Sequence, residues 1–423
     1  MPGDVPAGRR PRRVAVTGLG VMSPIGNGEQ AFFDALCSGR SGIRRIDAPF
    51  AERLSSRIAA QVDFDPAAHF PPPKLRMLDR FSQLALLAAE QAMASAALQL
   101  DAGERSHAGV FIGSGMGGGH TMDDGYQALY ANDATRLPPF TVLMVMQNAA
   151  AAWVGIEHGF GGPNLTFATA CSSSAVAIGE AWRRIRDGEV DVAIAGGCEA
   201  PLNFGTLKAW EALRTLASED PDDPAASCKP FARDRSGMVL GEGSAMLVLE
   251  DWEHALRRGA LIRGELLGYG LCTDNEHITR PTIGGQARAM RLALQSAELT
   301  ADAVGHINAH GTGTLANDAT ETAAIKQVFG ERAPSIPISA TKSMHGHMLG
   351  AGAAVELVAT LLALENQMLP PTINLMQRDP ECDLDYVSEG ARKVSGIDVA
   401  ISNSFAFGGT NVVLVCGSPP RET

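Results

Sequence analysis

The stretch Leu165-Thr-Phe-Ala-Thr-Ala-Cys-Ser-Ser-Ser174 and its continuation Ala175-Val-Ala-Ile-Gly-Glu-Ala-Trp-Arg-Arg184 decide how this chain is read. The first part reads as a short buried strand. The second reads as a helix whose first turn is built of small residues. Cys171 sits where the strand hands over to the helix. Its sulfur there lies near free backbone N–H groups and the positive end of a helix dipole. Both favour the thiolate, which is the nucleophilic form. The plain alternative is a buried Cys serving as a small hydrophobe, the common fate of a free thiol. The rest of the chain decides between them.

Outward from Cys171 the strand-to-turn pattern recurs. Arg13-Val-Ala-Val-Thr-Gly-Leu-Gly20, Ala108-Gly-Val-Phe-Ile-Gly-Ser-Gly115 and Val190-Asp-Val-Ala-Ile-Ala-Gly-Gly197 each read as a strand entering a Gly turn. Helical periodicity fills the gaps, as in Phe81 to Leu98. Alternating strands and helices predict an α/β layered fold with largely parallel strands. The chain also has a weak internal symmetry. The strand, Cys171 and helix of the first half are matched by Ser335-Ile-Pro-Ile-Ser-Ala-Thr-Lys342, a Gly/His turn and the helix Ala353 to Glu365. Val110 to Gly115 likewise resembles Gly305-His-Ile-Asn-Ala-His-Gly311. Two βαβ-rich units follow, 14–258 and 259–423, with a seam near Arg257 to Ile262 and a flexible N-terminal tail over 1–13. Dinucleotide binding is not supported, because Gly18-Leu-Gly20 lacks the third Gly and Gly115-Met-Gly-Gly-Gly119 is misplaced for the fingerprint.

With 423 residues, 45 % hydrophobic, 19 % charged and 46 Gly, the composition describes a compact α/β enzyme. A net charge of −12 argues against general nucleic-acid binding but leaves room for a local basic patch. Seven Cys at 37, 171, 198, 228, 272, 382 and 416 show no CxxC or zinc spacing, which predicts a reducing, cytoplasmic setting. No run is read as a membrane span, Ala149 to Ile156 being too short. Met1 to Arg13 has no apolar core and is not read as a secretory signal.

Two further segments stand out: Asn308-Ala-His310-Gly-Thr312-Gly-Thr314, with Asn317, Asp318 and Glu321 after it, and Thr341-Lys342-Ser-Met-His345-Gly-His347-Met-Leu-Gly350, with Glu356 after it. Each puts His on a turn of small residues just after a strand, where α/β sheets carry their chemistry. A thiolate with two imidazoles suits acyl transfer, the Cys holding a thioester while His groups stabilise an enolate on a second carbonyl. A Cys protease would need only one His and an orienting Asn or Asp, and would leave the second His turn and Lys342 unexplained.

Ala168-Thr-Ala-Cys171-Ser-Ser-Ser, Asn308-Ala-His310-Gly-Thr-Gly-Thr, Lys342-Ser-Met-His-Gly-His347 and Asn403-Ser-Phe-Ala-Phe407-Gly-Gly-Thr-Asn411 resemble the four signatures of the β-ketoacyl-ACP synthases, in their elongating Cys-His-His class. The likeness runs from about Val14 to Val415, and Lys229 to Gly237 and Gly241-Glu-Gly243 also fit. The Ala168 and Asn308 variants are similar to discrete, type II synthases; modular polyketide ketosynthases more often carry Asp and Glu there. The resemblance implies the thiolase fold, two similar halves in a five-layer α-β-α-β-α sandwich, and a dimer. It implies that Cys171 is acylated and that His310 and His347 serve decarboxylation and condensation, with Lys342 and Glu356 as a supporting charged pair. It further implies an oxyanion hole from the N–H groups of Cys171 and Phe407. Phe407 would be a gate, with movable neighbours Gly408 and Gly409 and the loop Asp274 to Pro281 opposite. Thr312 and Thr314 would hold the malonyl arm. The implied reaction is decarboxylative condensation of malonyl carrier with a Cys-bound acyl chain, needing no metal, nucleotide or redox cofactor. The implied partner is an acidic acyl-carrier protein, docking on Lys74, Arg76, Arg136 and Arg214.

This chain departs from the pattern in several places. Glu219 stands where relatives often have another docking Arg. Ala406 replaces a Gly in the gating loop and is expected to stiffen it, because Ala does not take φ > 0 cheaply. His345 replaces a frequent Thr; Gly346-His347 aligns with the catalytic position. Phe140-Thr-Val-Leu-Met-Val-Met-Gln147 and Met116 are expected to line the acyl pocket or a dimer interface. These departures favour a specialised polyene, polyketide or modified fatty-acyl pathway. Housekeeping fatty-acid elongation is the alternative, and a subunit active only beside a chain-length-factor partner a more distant one. A thiolase would need a second Cys before Cys416, and an initiating synthase Asn in place of His347.

Overall fold

A computed structural model describes residues 11–420. Ten strands form the path of its large sheet: β1 (Val14–Ser23), β2 (Gly109–Gly113), β3 (Asn164–Phe167), β4 (Val192–Glu199), β5 (Gly243–Asp251), β6 (Gly264–Thr273), β7 (His306–Asn308), β8 (Ile338–Ser339), β9 (Val399–Phe405) and β10 (Thr410–Gly417). Their spatial order is β8-β7-β9-β10-β6-β1-β5-β4-β2-β3. Each set of five consecutive strands therefore follows one order, third-second-fourth-fifth-first. In each, the second strand is parallel to the third and fourth, and the fifth antiparallel to its neighbours. Along the strand path of the sheet, the halves join where Val14, Ala15 and Val16 of β1 pair with Leu266, Glu265 and Gly264 of β6.

Strand alternation builds the layers, since successive side chains leave opposite faces. Ala245, Leu247 and Leu249 of β5 and Val412, Leu414 and Cys416 of β10 face a central cluster with helices α3 (Ser173–Arg186) and α6 (Gly352–Asn366). Met246 and Val248 face α1 (Arg80–Ala96) and α2 (Ala149–His158) on the outer side of the first half. Val413 and Val415 face α4 (Ile283–Ser296) and α5 (Leu315–Phe329) on the outer side of the second. This is the five-layer thiolase fold. Helix α6, apolar all round, belongs in the middle of such a stack. The stretch Leu349–Asn366 is long and apolar enough to cross a membrane by composition, contrary to the sequence reading, yet 89 % of it is buried in the core.

Three further expectations change. The strands are not largely parallel: five of the nine pairings along the sheet path are antiparallel and four parallel. Asn164 and Leu165 of β3 are exposed, because β3 ends the sheet and pairs only with β2. Of the expected tail 1–13, residues 1–10 lie outside the described residues, while Arg12 and Arg13 are tied to the body. Arg12 pairs with Asp191 at 2.5 Å; Arg13 pairs with Glu265 at 2.6 Å and stacks over Trp252.

Candidate active site

Cys171 lies in a tight turn, Ala170–Ser172, between β3 and α3. Ala170 before it has φ 52, an uncommon conformation for a residue with a Cβ, and this aims the Cys side chain into the space between the halves. The symmetric junction of the second half, between β8 and α6, carries Lys342 and His347, and the turn after β7 carries His310. All three turns open at strand C-termini on one cavity of about 170 Å³, lined by Cys171, His310, His347, Thr312, Thr314 and Phe407 among others.

His347 Nε2 stands 3.1 Å from Cys171 Sγ. Its other ring nitrogen, Nδ1, accepts the backbone N–H of Leu349 at 3.2 Å. That acceptor role leaves the ring proton on Nε2, pointing at the sulfur. His310 meets His347 edge-on, ring centres 5.5 Å apart. Its Nδ1 faces the Lys342 ammonium at 3.4 Å, so its Nε2 also keeps the proton. Burial, reinforced by Lys342, pushes both imidazoles well below the usual His range, so both are neutral donors. His345 is buried away from the cavity, bonded to Thr341 Oγ1 and the Gly346 carbonyl.

Lys342 is buried, donating to Glu356 at 2.5 Å and to the His310 carbonyl at 2.7 Å. Burial raises Glu356 to about 7 against the pull of Lys342. Glu321, placed in the sequence but given no role there, accepts the N–H groups of His310 and Gly311 at 2.8 and 2.9 Å and Asn403 Nδ2 at 3.0 Å, and so anchors the His310 turn. Thr312 and Thr314 share a 2.9 Å bond, and Thr314 caps α5.

The thiol does not match the expectation of an easily ionised Cys. Burial pushes it up to about 11, outweighing Lys342 and the N–H groups of Phe407 and Cys171 that point at the sulfur. Those two N–H groups converge as the oxyanion reading requires. Phe407 stacks on Trp210 with ring centres 6.0 Å apart. Gly408 and Gly409 have φ 86 and 77, and they bind the facing loop through Gly408 N–H to the Ile278 carbonyl and Asp274 N–H to the Gly409 carbonyl. Ala406 is not among the positive-φ residues, so no backbone strain comes from replacing Gly there.

Met116 and Phe140 do not line this cavity; they are 43 % and 42 % exposed on the outer surface. The loop after β2 and the helix Thr141–Val145 turn outward, and Leu213, Thr215 and Met238 take the wall instead. Lys74 is paired with Glu157 at 2.5 Å. Arg76, Arg136 and Arg214 are exposed, and Arg214 is flanked by the wall residues Leu213 and Thr215. Glu219 pairs with Arg45 at 2.6 Å. The exposed Arg280 of the facing loop, unremarked in the sequence, sits at the mouth. Glu199, equally unremarked, lies behind Cys171; an acid ending an apolar strand was its only signal.

The N-terminal domain of β-ketoacyl synthases matches residues 11–255, and their C-terminal domain residues 263–376. The chain is 42 % identical to a 3-oxoacyl-[acyl-carrier-protein] synthase 2 of Synechocystis sp., over 95 % of this chain and 97 % of that one. It is also 42 % identical to nodulation protein E of Rhizobium meliloti, over 95 % and 98 %. The solved structure of the ishigamide ketosynthase/chain length factor superposes with TM-score 0.89 at 37 % identity, covering 97 % of this chain and 100 % of that one. The geometry and these likenesses agree: the chain belongs to the β-ketoacyl synthase family, as an acyltransferase-class enzyme of the elongating, synthase 2-like kind.

Proposed function

We propose that the protein extends a Cys171-bound acyl chain by two carbons from malonyl carrier protein, within a specialised fatty-acyl or polyketide pathway. The observation that carries the chemistry is the pair of neutral imidazoles whose Nε2–H groups share one cavity with the thiol. In the first half-reaction the thiol attacks the acyl thioester. The oxyanion is held by the N–H groups of Cys171 and Phe407, and the thiol proton leaves with the departing carrier thiol. In the second, the malonyl thioester loses CO₂. The enolate oxygen is held by the Nε2–H groups of His310 and His347, and the enolate carbon attacks the acyl-Cys171 carbonyl. The Cys171 thiolate leaves and is reprotonated from solvent. No other cofactor enters these steps. Lys342 and Glu356 keep the His310 turn in place, Thr312 and Thr314 hold the malonyl arm, and Phe407 with Gly408 and Gly409 gates the cavity.

The name of the Synechocystis relative supports an acyl-carrier protein as partner. Arg214 beside the cavity is where it would dock, with Arg76 and Arg136 as further contacts. The nodulation and chain-length-factor likenesses fit a specialised pathway, and the synthase 2 likeness, at the same identity as the nodulation one, fits housekeeping elongation. The halves 14–258 and 259–423 remain our division, supported by the two domain matches. Seven free thiols fit a reducing cytoplasm. The exposed apolar face around Met116 and Phe140 supports a subunit partner, a second copy or a chain-length factor.

Intact-protein mass spectrometry with a panel of acyl-carrier thioesters tests this reading. The wild type should gain one acyl mass, selectively from unusual chains, and Cys171→Ala none. Broad loading of saturated chains would favour housekeeping elongation, and loading of Cys171→Ala would refute the nucleophile.

A further inference from the structure

The steps above leave one buried acid beside the cavity without a part. Glu199 ends β4, is fully buried, and lies near enough to Cys171 to raise its thiol. Its Oε2 accepts the backbone N–H groups of Gly115 at 2.6 Å and Gly350 at 2.9 Å. Its Oε1 accepts the N–H of Met116 at 2.9 Å and the Ser114 hydroxyl at 3.2 Å. The four donors come from two loops. One follows β2; the other is the turn that leads from His347 into α6. A carboxylate receiving four donors uses its whole acceptor capacity, and an amide in its place would set an NH₂ group against backbone N–H groups.

The turn from His347 needs such a clamp. Leu349 sits at φ 42, a strained conformation for a residue with a bulky side chain. Its N–H reaches His347 Nδ1 at 3.2 Å, and its positive φ directs the backbone that follows it. The next N–H along the chain, that of Gly350, is the one Glu199 holds. The two loops touch here: a Cβ on Gly350 would lie 2.5 Å from the Gly115 nitrogen and 2.6 Å from Glu199 Oε2.

We propose that Glu199 is a positioning residue, which clamps the Leu349–Gly350 backbone to the loop after β2 and thereby fixes the ring direction and the Nε2–H tautomer of His347. The inference rests on the reading of His347 as an enolate donor. Glu199 touches no substrate; it acts through two backbone N–H groups and one imidazole. Without it the strained turn relaxes, the Leu349 N–H leaves Nδ1, and the ring is free to carry its proton on either nitrogen. Ground-state binding of malonyl carrier does not depend on that proton, whereas enolate formation does.

The test is Glu199→Gln beside wild type, with malonyl-carrier decarboxylation and ¹⁵N-histidine NMR as readouts. The expected result is a fall in decarboxylation kcat of about 10–100-fold at unchanged KM, the range a misplaced catalytic group produces. The His347 resonances should shift away from the Nε2–H pattern while unfolding stays cooperative. Unchanged kcat, or kcat and KM drifting together with the tautomer intact, would overturn the role. Should the variant not fold, the wild-type spectrum still decides, because a proton on His347 Nδ1 is incompatible with the clamp. A wild type that decarboxylates no malonyl carrier would instead refute the functional reading itself.

Discussion

Lys342 and Glu356 show what a single residue contributes at this site. The ammonium is 1 % exposed and holds both Glu356 and the carbonyl of His310. Such a pair adds little over an apolar pair, but breaking it strands a buried charge. Lys342→Met should destabilise the protein by about 3–5 kcal/mol at pH 8, read from the urea midpoint at constant slope. Glu356 already sits at about 7, above the 4.5 of a free Glu, and losing the cation raises it further. A raised folded pKa gives stability that is present below the unfolded pKa and lost as pH rises through the folded one. The deficit of Lys342→Met should therefore shrink toward pH 4.5, and Lys342→Met with Glu356→Gln should be milder at pH 8 than the single change. A pH-independent loss would mean that packing alone is at work. The residues proposed to react were legible because Cys171, His310 and His347 each follow a strand in a run of small residues. Glu199 and Leu349 were not, because one works through backbone donors and the other through a dihedral angle, and neither has a side-chain signature. The same limit left Met116 between the acyl pocket and a dimer interface: the sequence shows an apolar residue beside a Gly turn, but not which way the turn leaves the sheet, and the structure leaves its side chain exposed outside the cavity.

At the scale of elements, the glycines expected to form a turn at 18–20 lie inside β1 instead, and they prove to be packing devices. A Cβ on Gly18 would lie 2.1 Å from the Ala92 carbonyl oxygen, and one on Gly20 2.0 Å from that of Ala88, both on α1. The two glycines let α1 lie directly on β1, and no phosphate is needed to explain them. Gly20→Ala should cost at least about 2 kcal/mol, since the obstacle is backbone of a helix fixed along 17 residues and cannot step aside. Thermal unfolding should show the loss, and acyl loading of the protein that remains folded should be unchanged. Full stability with the added methyl would contradict the close approach. The strands and helices themselves were readable from periodicity: the helix expected over Phe81 to Leu98 forms as Arg80–Ala96, and that over Ala353 to Glu365 as Gly352–Asn366. Strand order was not readable, because pairing joins residues far apart in sequence. The repeated order became visible only with the registers, and so did the exposure of β3, whose apolar residues read as core.

For the molecule as a whole, the two outer faces are unequal. On the first half, Tyr126, Tyr130, Phe140, Val142, Leu143, Ile156 and Leu165 are exposed, and the elements that carry them touch in series from the helix Gly119–Ala131 through Thr141–Val145 and α2 to β3. Monomeric proteins rarely leave so continuous an apolar patch in water. The patch ends at a strand with an unpaired edge, which is a template for another strand. Two copies meeting edge to edge along β3 would pair the same surface with itself and close, as a two-fold contact requires. The loop of Met116 would then lie under the partner and be held on its inner side by Glu199. Leu165→Lys puts a charge at that edge, where each copy would face its own lysine. Native mass spectrometry should find a dimer for the wild type and a monomer for Leu165→Lys, with acyl loading of the monomer reduced because the outer side of the Met116 loop loses its support. A wild type that stays monomeric alone but pairs with a second, chain-length-factor-like subunit would reassign the face to a heterodimer. A wild type that stays monomeric in both cases, yet loads and condenses normally, would show that the patch serves neither.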